Sequence, residues 1–152
     1  MRKKVVYFDM DNTLVSFDSG IHQLTEYQKE QYAGRLDEVP GIFSTMKPID
    51  DMIELFNTMS EDERFECYVL STSPWDNPTA ASDKIEWIKN YLPKAYKRVI
   101  LSHNKHLNVG DYLIDDRTAN GAGEFGGELI QYGTEKFPTA ESIKNYLGVW
   151  KR

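Results

Sequence analysis

Val5-Val6-Tyr7-Phe8-Asp9-Met10-Asp11-Asn12-Thr13 is the stretch that decides the fold. A short apolar β run delivers two carboxylates one residue apart. Side chains alternate across a strand, so residues i and i+2 point the same way. That spacing places Asp9 and Asp11 together at the strand's carboxyl end, where an open parallel α/β sheet holds its ligand. Two adjacent carboxylates repel unless a positive group or a shared proton offsets them. The pair is the expected seat of chemistry.

Working outward, similar runs occur at Phe65–Leu70, Arg98–Leu101, Tyr112–Ile114 and Leu129–Tyr132, each bounded by turn formers. Helical periodicity lies between them. Asp50–Met59 sets Met52, Ile53, Phe56 and Met59 on one face, and Ala81–Leu92 does the same with Ile85, Ile88 and Leu92. Ser142–Leu147 reads as a closing helix with Thr139 as its N-cap. Strands alternating with helices predict an α/β fold, a Rossmann-like parallel sheet of about five strands flanked by helices. The 152 residues suit a single domain. The stretch 17–47 does not join the alternation. Its polar segment Ile21–Leu36 and the run Val39-Pro40-Gly41-Ile42-Phe43 read as a small helical cap over the sheet's carboxyl edge. The plainer reading is a packed surface helix.

A net charge of −6 argues against a nucleic-acid backbone or an anionic membrane as partner. A small phosphorylated substrate stays open, because a bound cation reverses the local field. The single cysteine, Cys67, forms no disulfide within the chain and sits in an apolar run, as a reduced core thiol would. The apolar stretch near the N-terminus is too short for a signal-peptide core or a membrane span, so a cytoplasmic protein is expected. His22, His103 and His106 lack zinc-ligand spacing. Gly121 to Gly126 matches G-x-G-x-x-G, but a strand rather than a helix is expected after it, so it reads as a flexible loop and not a dinucleotide site.

Three further signals follow strand ends. Leu70-Ser71-Thr72-Ser73-Pro74 ends a strand in hydroxyl groups that suit phosphate oxygens. Lys105, shortly after Leu101, suits a phosphoryl group as a point charge. Leu113-Ile114-Asp115-Asp116-Arg117 again ends an apolar run in two carboxylates, which with Asp9 and Asp11 make an oxygen-rich site suited to Mg²⁺. Each has an ordinary reading alone: a capped turn, a solvated lysine, a helix cap. In order at successive strand ends they describe phosphoryl transfer, with one carboxylate to attack phosphorus, another to move the proton, and cations to neutralise charge.

In this order DMDNT, LSTSP, HNK and IDDR, the chain resembles the haloacid-dehalogenase-like (HAD) phosphohydrolases. More narrowly, EVPGIFSTMKPIDD, STSP, SDKIEWIKNYL, RVILSHNK and LIDDR resemble the 5′(3′)-deoxyribonucleotidases. The resemblance implies Asp9 as the nucleophile that forms an aspartyl-phosphate. It implies Asp11 as general acid and then base, its backbone carbonyl binding Mg²⁺. Thr72 and Ser73 would hold phosphate and Lys105 steady it. Asp116 would bind the metal directly, and Asp115 directly or through water. Asn12 stands where many relatives have Gly, a change that a left-handed turn accepts. The implied substrate is a nucleoside monophosphate, with no nucleic acid or membrane as partner. Phe17, Phe43 and Trp75 would stack on the base or, alternatively, tie cap to sheet. Lys84 is a weaker substrate candidate. Oligomeric state is open, a homodimer among the options. The alternatives are the same chemistry on another small phosphate ester, and a phosphate- or nucleotide-binding module without catalysis.

Overall fold

The computed structural model describes residues 2–149. Its elements run β1 (Lys4–Phe8), β2 (Val15–Ser16), α1 (Phe17–Ile21), α2 (Glu26–Gln31), β3 (Lys47–Pro48), α3 (Asp50–Ser60), β4 (Phe65–Ser71), α4 (Ala80–Tyr91), β5 (Val99–Leu101), β6 (Tyr112–Asp115), β7 (Glu128–Gln131) and α5 (Ala140–Leu147), with short 3-10 turns between several of them. Five strands form one parallel sheet in the order β5-β4-β1-β6-β7, with β1 at the centre. The register aligns the strand ends. Phe8 pairs with Val69 on one side and Ile114 on the other, so Asp9, Ser71 and Asp115 emerge at the same edge.

Period-two alternation along β1 sorts the core. Val6 and Phe8 are fully buried in the larger cluster, with Cys67, Val69, Ile114 and Ile130. That cluster takes in Phe56 of α3, Trp87 of α4 and Ile143 of α5, and the Phe8 and Phe56 rings meet edge to face at 5.0 Å. Tyr7 belongs to the smaller cluster, with Leu70, Leu113, Ala122 and Phe125. The three long helices thus serve one face, while the 3-10 turn Ala122–Glu124 supplies cover on the other. Burial pushes the free Cys67 thiol up to about 12, so it is an unreactive core group.

Residues 17–46 leave and return through the ribbon β2–β3, which pairs Val15 with Pro48 and Ser16 with Lys47. The continuous helix expected over Ile21–Leu36 is broken into α1, α2 and a 3-10 turn at Leu36–Glu38. Thr25 explains the break, because it caps α2 with a reciprocal Thr25–Gln28 box and so starts a new helix. Val39, Ile42, Phe43 and Met46 then anchor the insertion in the main core. Three polar ties fasten it. Asn77 donates to the carbonyls of Asp37 (2.8 Å) and Val39 (3.1 Å), the Gly41 N–H donates to Thr79 Oγ1 (2.8 Å), and the Trp87 indole donates to the Met46 carbonyl (2.8 Å).

Candidate active site

β1 ends at Phe8, and the Asp9 N–H extends the ladder by one bond to the Ile114 carbonyl at 2.9 Å. The chain then turns. The Met10 carbonyl accepts from Thr13, Leu14 and Val15, and Asn12 takes the left-handed conformation at φ 58°. The Asn12 side chain accepts from the Phe17 N–H at 3.2 Å, which fixes the start of α1. The substitution of Asn at this turn is accommodated as expected. Asp11 therefore lies in a turn and not on the strand, so alternation does not govern it. Each of the two carboxylates has its own lysine, while the charge of Asp9 still acts on Asp11.

Lys105 sits between two carboxylates. Its Nζ donates to Asp9 Oδ1 at 2.9 Å and to Asp115 Oδ2 at 2.6 Å, and all three side chains are buried. The carboxylate oxygens of Asp9, Asp115 and Asp116 converge to within 4.8 Å of one another, a group that can hold a metal ion. Burial pushes the Asp115 carboxyl up from its usual 3.8 to about 6, with the Asp9 charge adding to the effect. Burial pushes Asp116 to about 8, reinforced by the charge of Asp9 and a hydrogen bond with it. Burial alone would lower the Lys105 ammonium, but Asp9 and Asp115 outweigh it and the net shift is upward. Asp116 Oδ1 is buried without a hydrogen-bond partner among the described residues. An orphaned carboxylate oxygen beside two others is what a hard divalent cation requires.

Asp11 is not part of this convergent group of carboxylates. Lys84 Nζ lies 3.3 Å from Asp11 Oδ2 and 3.4 Å from Oδ1. Burial raises the Asp11 carboxyl, against the lowering effect of Lys84. Lys84 itself has no exposed surface, so it is buried behind the site and not a substrate-facing group. Its helical spacing was the available signal. Lys84 shares a face of α4 with Trp87 and Ile88, which are buried too.

Thr72 donates through Oγ1 to the Ser102 carbonyl at 2.8 Å, and Thr72 and Ser73 are both half-buried past the end of β4. The Lys105 turn is braced by the glycine loop, since the Lys105 N–H donates to the Asn120 carbonyl at 2.8 Å. Gly121, at φ 83°, comes so close that a Cβ there would lie 2.3 Å from His106 Nδ1 and 3.0 Å from the Lys105 nitrogen. Among the aromatic candidates, Phe43 is 1% exposed, with the Phe17 ring at 6.1 Å and the Lys84 ammonium 4.4 Å from its ring centre. It has no open face for a base to stack on. Phe17 is half-buried, and Trp75 is 86% exposed with its ring edge-on to His103 at 5.7 Å.

The family model for "5' nucleotidase, deoxy (Pyrimidine), cytosolic type C protein" matches residues 18–136. A protein of Vibrio phage KVP40 named "Putative 5'(3')-deoxyribonucleotidase" is 56% identical over 146 residues, 95% of this chain and 85% of the relative. The human "5'(3')-deoxyribonucleotidase, cytosolic type" is 26% identical over 140 residues, covering 74% of this chain and 70% of the human one. In fold, the chain matches the magnesium-bound HAD-hydrolase YfnB of Bacillus subtilis with a TM-score of 0.62 at 14% identity, over 98% of this chain and 100% of that one. It matches the haloacid dehalogenase-like protein SP0104 of Streptococcus pneumoniae with a TM-score of 0.56 at 16% identity, over 95% and 90%.

Proposed function

This chain belongs to the 5′(3′)-deoxyribonucleotidase family of HAD-like phosphoric monoester hydrolases, and on that premise we propose that it removes phosphate from deoxyribonucleoside monophosphates through Asp9. The observation that carries the reading is the buried assembly of Lys105 between Asp9 and Asp115, with Asp116 against them and one of its oxygens unpartnered.

In the first step an Asp9 carboxylate oxygen attacks phosphorus and the bond from phosphorus to the ester oxygen breaks. Asp11 gives its proton to that leaving oxygen and becomes the carboxylate. In the second step Asp11 takes a proton from water as the water oxygen attacks phosphorus. The bond to Asp9 breaks, inorganic phosphate leaves, and both aspartates return to their starting state. Lys105 faces the charge that spreads over the phosphoryl oxygens, and the Thr72 and Ser73 region receives those oxygens. Asp9, Asp115 and Asp116 would hold Mg²⁺, with the Asp11 backbone carbonyl as a further ligand. The ion, when bound, supplies positive charge to the phosphoryl group in an otherwise carboxylate-rich cavity. Asp11, outside that cluster and adjoining the insertion through Lys84 and Phe43, would carry out the proton transfer.

The 17–46 insertion acts as the cap, and Trp75 and Phe17 offer the accessible aromatic surface for a base. Stacking of this kind accepts several bases. No helix among the described residues is long and apolar enough to cross a membrane. With a family named as cytosolic, the substrate is a free nucleotide in the cytoplasm.

The test is a panel of deoxy- and ribonucleoside monophosphates, sugar phosphates and p-nitrophenyl phosphate, assayed with Mg²⁺, after EDTA, and after Mg²⁺ is restored. Deoxyribonucleoside monophosphates are expected to turn over fastest, and EDTA to stop all turnover reversibly. Equal rates on every ester would remove the nucleotide assignment, and hydrolysis untouched by EDTA would remove the metal.

A further inference from the structure

Three of the four carboxylates of the site are held by two buried lysines, and the second lysine has no part in the proposed chemistry. Lys84 enters from α4 with no exposed surface. Its Nζ donates to Ser71 Oγ at 2.7 Å and to the Asp11 carboxylate at 3.3 Å, and it lies over the Phe43 ring at 4.4 Å. An ammonium is buried only where a counter-charge and hydrogen-bond acceptors replace water. Here the Asp11 carboxyl group and Ser71 are the acceptors, Asp11 adding the counter-charge in the half of the cycle in which it is ionised, and Phe43 is the ring that closes over them. These three partners come from three parts of the chain: the turn after β1, the last residue of β4, and the insertion. The same contacts account for the position of Asp11 outside the group formed by Asp9, Asp115 and Asp116.

We infer that Lys84 is a positioning residue for proton transfer: anchored by Ser71 and Phe43, it holds the Asp11 carboxyl group apart from the metal-binding carboxylates and aimed at the leaving oxygen. The inference rests on the proposed role of Asp11 as general acid. Lys84 touches neither substrate nor phosphate. It acts through Asp11 alone, whereas Lys105 acts on the phosphoryl group.

Leaving-group dependence separates this role from a structural one. An alkoxide leaving from a deoxynucleoside needs a proton, while p-nitrophenolate leaves without one. Single-turnover release of nucleoside and of p-nitrophenol would be followed for the wild type, Lys84→Met, Lys84→Arg, Ser71→Ala and Asp11→Asn, with thermal melting of each variant alongside. Lys84→Met is expected to slow nucleoside release by ~10²-fold, the usual scale of a misplaced general acid, and p-nitrophenol release far less. Lys84→Arg is expected to recover part of the loss. Ser71→Ala, which removes only the anchor, is expected to show the same leaving-group pattern more weakly and serves if Lys84→Met does not fold. Equal slowing on both esters, or none on either, would overturn the inference. Asp11→Asn keeps that failure distinct. If it discriminates between the esters and the Lys84 and Ser71 variants do not, only the role of Lys84 falls. If Asp11→Asn itself does not discriminate, the proposed acid falls first.

Discussion

The two ends of the sheet handle charge in opposite ways. At the amino end, Asp111 accepts two bonds from Arg2 at 2.9 and 3.0 Å and a third from the Val5 N–H at 2.8 Å. The Arg2 hydrogen bond is the main reason its carboxyl falls from the usual 3.8 to about 2. Nearby, Arg64 is paired with Asp62 at 2.6 Å and Lys94 with Glu61 at 2.8 Å. At the carboxyl end, carboxylates crowd one another and three are pushed up, Asp115 to about 6 and Asp116 to about 8. The amino end is arranged for completed pairs. The carboxyl end is left short of positive charge, and that shortfall is what a bound cation would offset.

The comparison breaks most sharply at Asp9. Asp9→Asn is expected to cut turnover by ~10³-fold or more while the protein still folds, because it removes the attacking oxygen. Near-normal turnover by the purified variant would show that the crowding at this end serves some other purpose.

The second prediction sets pH against metal. Asp115 and Asp116 bind their protons more tightly folded than unfolded. Their contribution to stability is complete below about pH 4 and is lost as the pH rises through about 6 and then about 8. Metal-free protein should therefore melt at falling temperature over that range, and Mg²⁺ should restore most at the upper end, where both groups ionise to bind it. Asp116→Asn should flatten the upper part of the slope. A melting temperature that rises through this range for the wild type, with no change in Asp116→Asn, would refute the crowding. Asp111 has the opposite sign. Its contribution is present above the usual carboxylate value and is lost as the pH falls through about 2.

Gly121→Ala probes how the Lys105 turn is held. The added Cβ meets His106 Nδ1 at 2.3 Å with the backbone at φ 83°, which should cost ~1–3 kcal/mol of stability. It should also lower kcat, because the turn that carries Lys105 must move. Unchanged melting and kcat would mean that the glycine loop does not position Lys105.

The smallest effect belongs to the completed end. Asp111→Ala strands the Val5 N–H on the central strand and should cost ~1–2 kcal/mol, while kcat and KM stay at wild-type values. A loss of activity at constant stability would mean that the two ends are not independent.

Sequence spacing revealed much of this architecture. The expected strand at Phe65–Leu70 is observed at Phe65–Ser71, and that at Leu129–Tyr132 is observed shifted by one residue at Glu128–Gln131. Short apolar runs bounded by turn formers carry strong local information. The ribbon β2–β3 was not legible, because its strands have two residues each and only the tertiary fold brings them together. The Thr25 box was readable in principle but was outweighed by the polar run around it. In the site, Asp9, Asp115, Asp116 and Lys105 converge because each lies at or past the end of a strand whose register is fixed by its neighbours. Asp11 diverges because it falls one turn beyond that register. Phe43 reads in sequence as either a base-stacking ring or a tie from cap to sheet, and its burial with Val39, Ile42 and Met46, with Lys84 on its face, fits the tie.

The ties from Asn77, Thr79 and Trp87 to the insertion have a consequence for how such an enzyme can be remodelled. The insertion and the stretch that follows Thr72 and Ser73 are sewn into one unit. The insertion contributes only backbone groups to these ties, so a relative's insertion keeps them only where its main chain follows the same path, and the safer module to transfer is the insertion together with the stretch from Ser73 to Trp87. Recombination would have to exchange both parts at once, while single substitutions are accepted most easily outside those ties, as at the exposed Trp75.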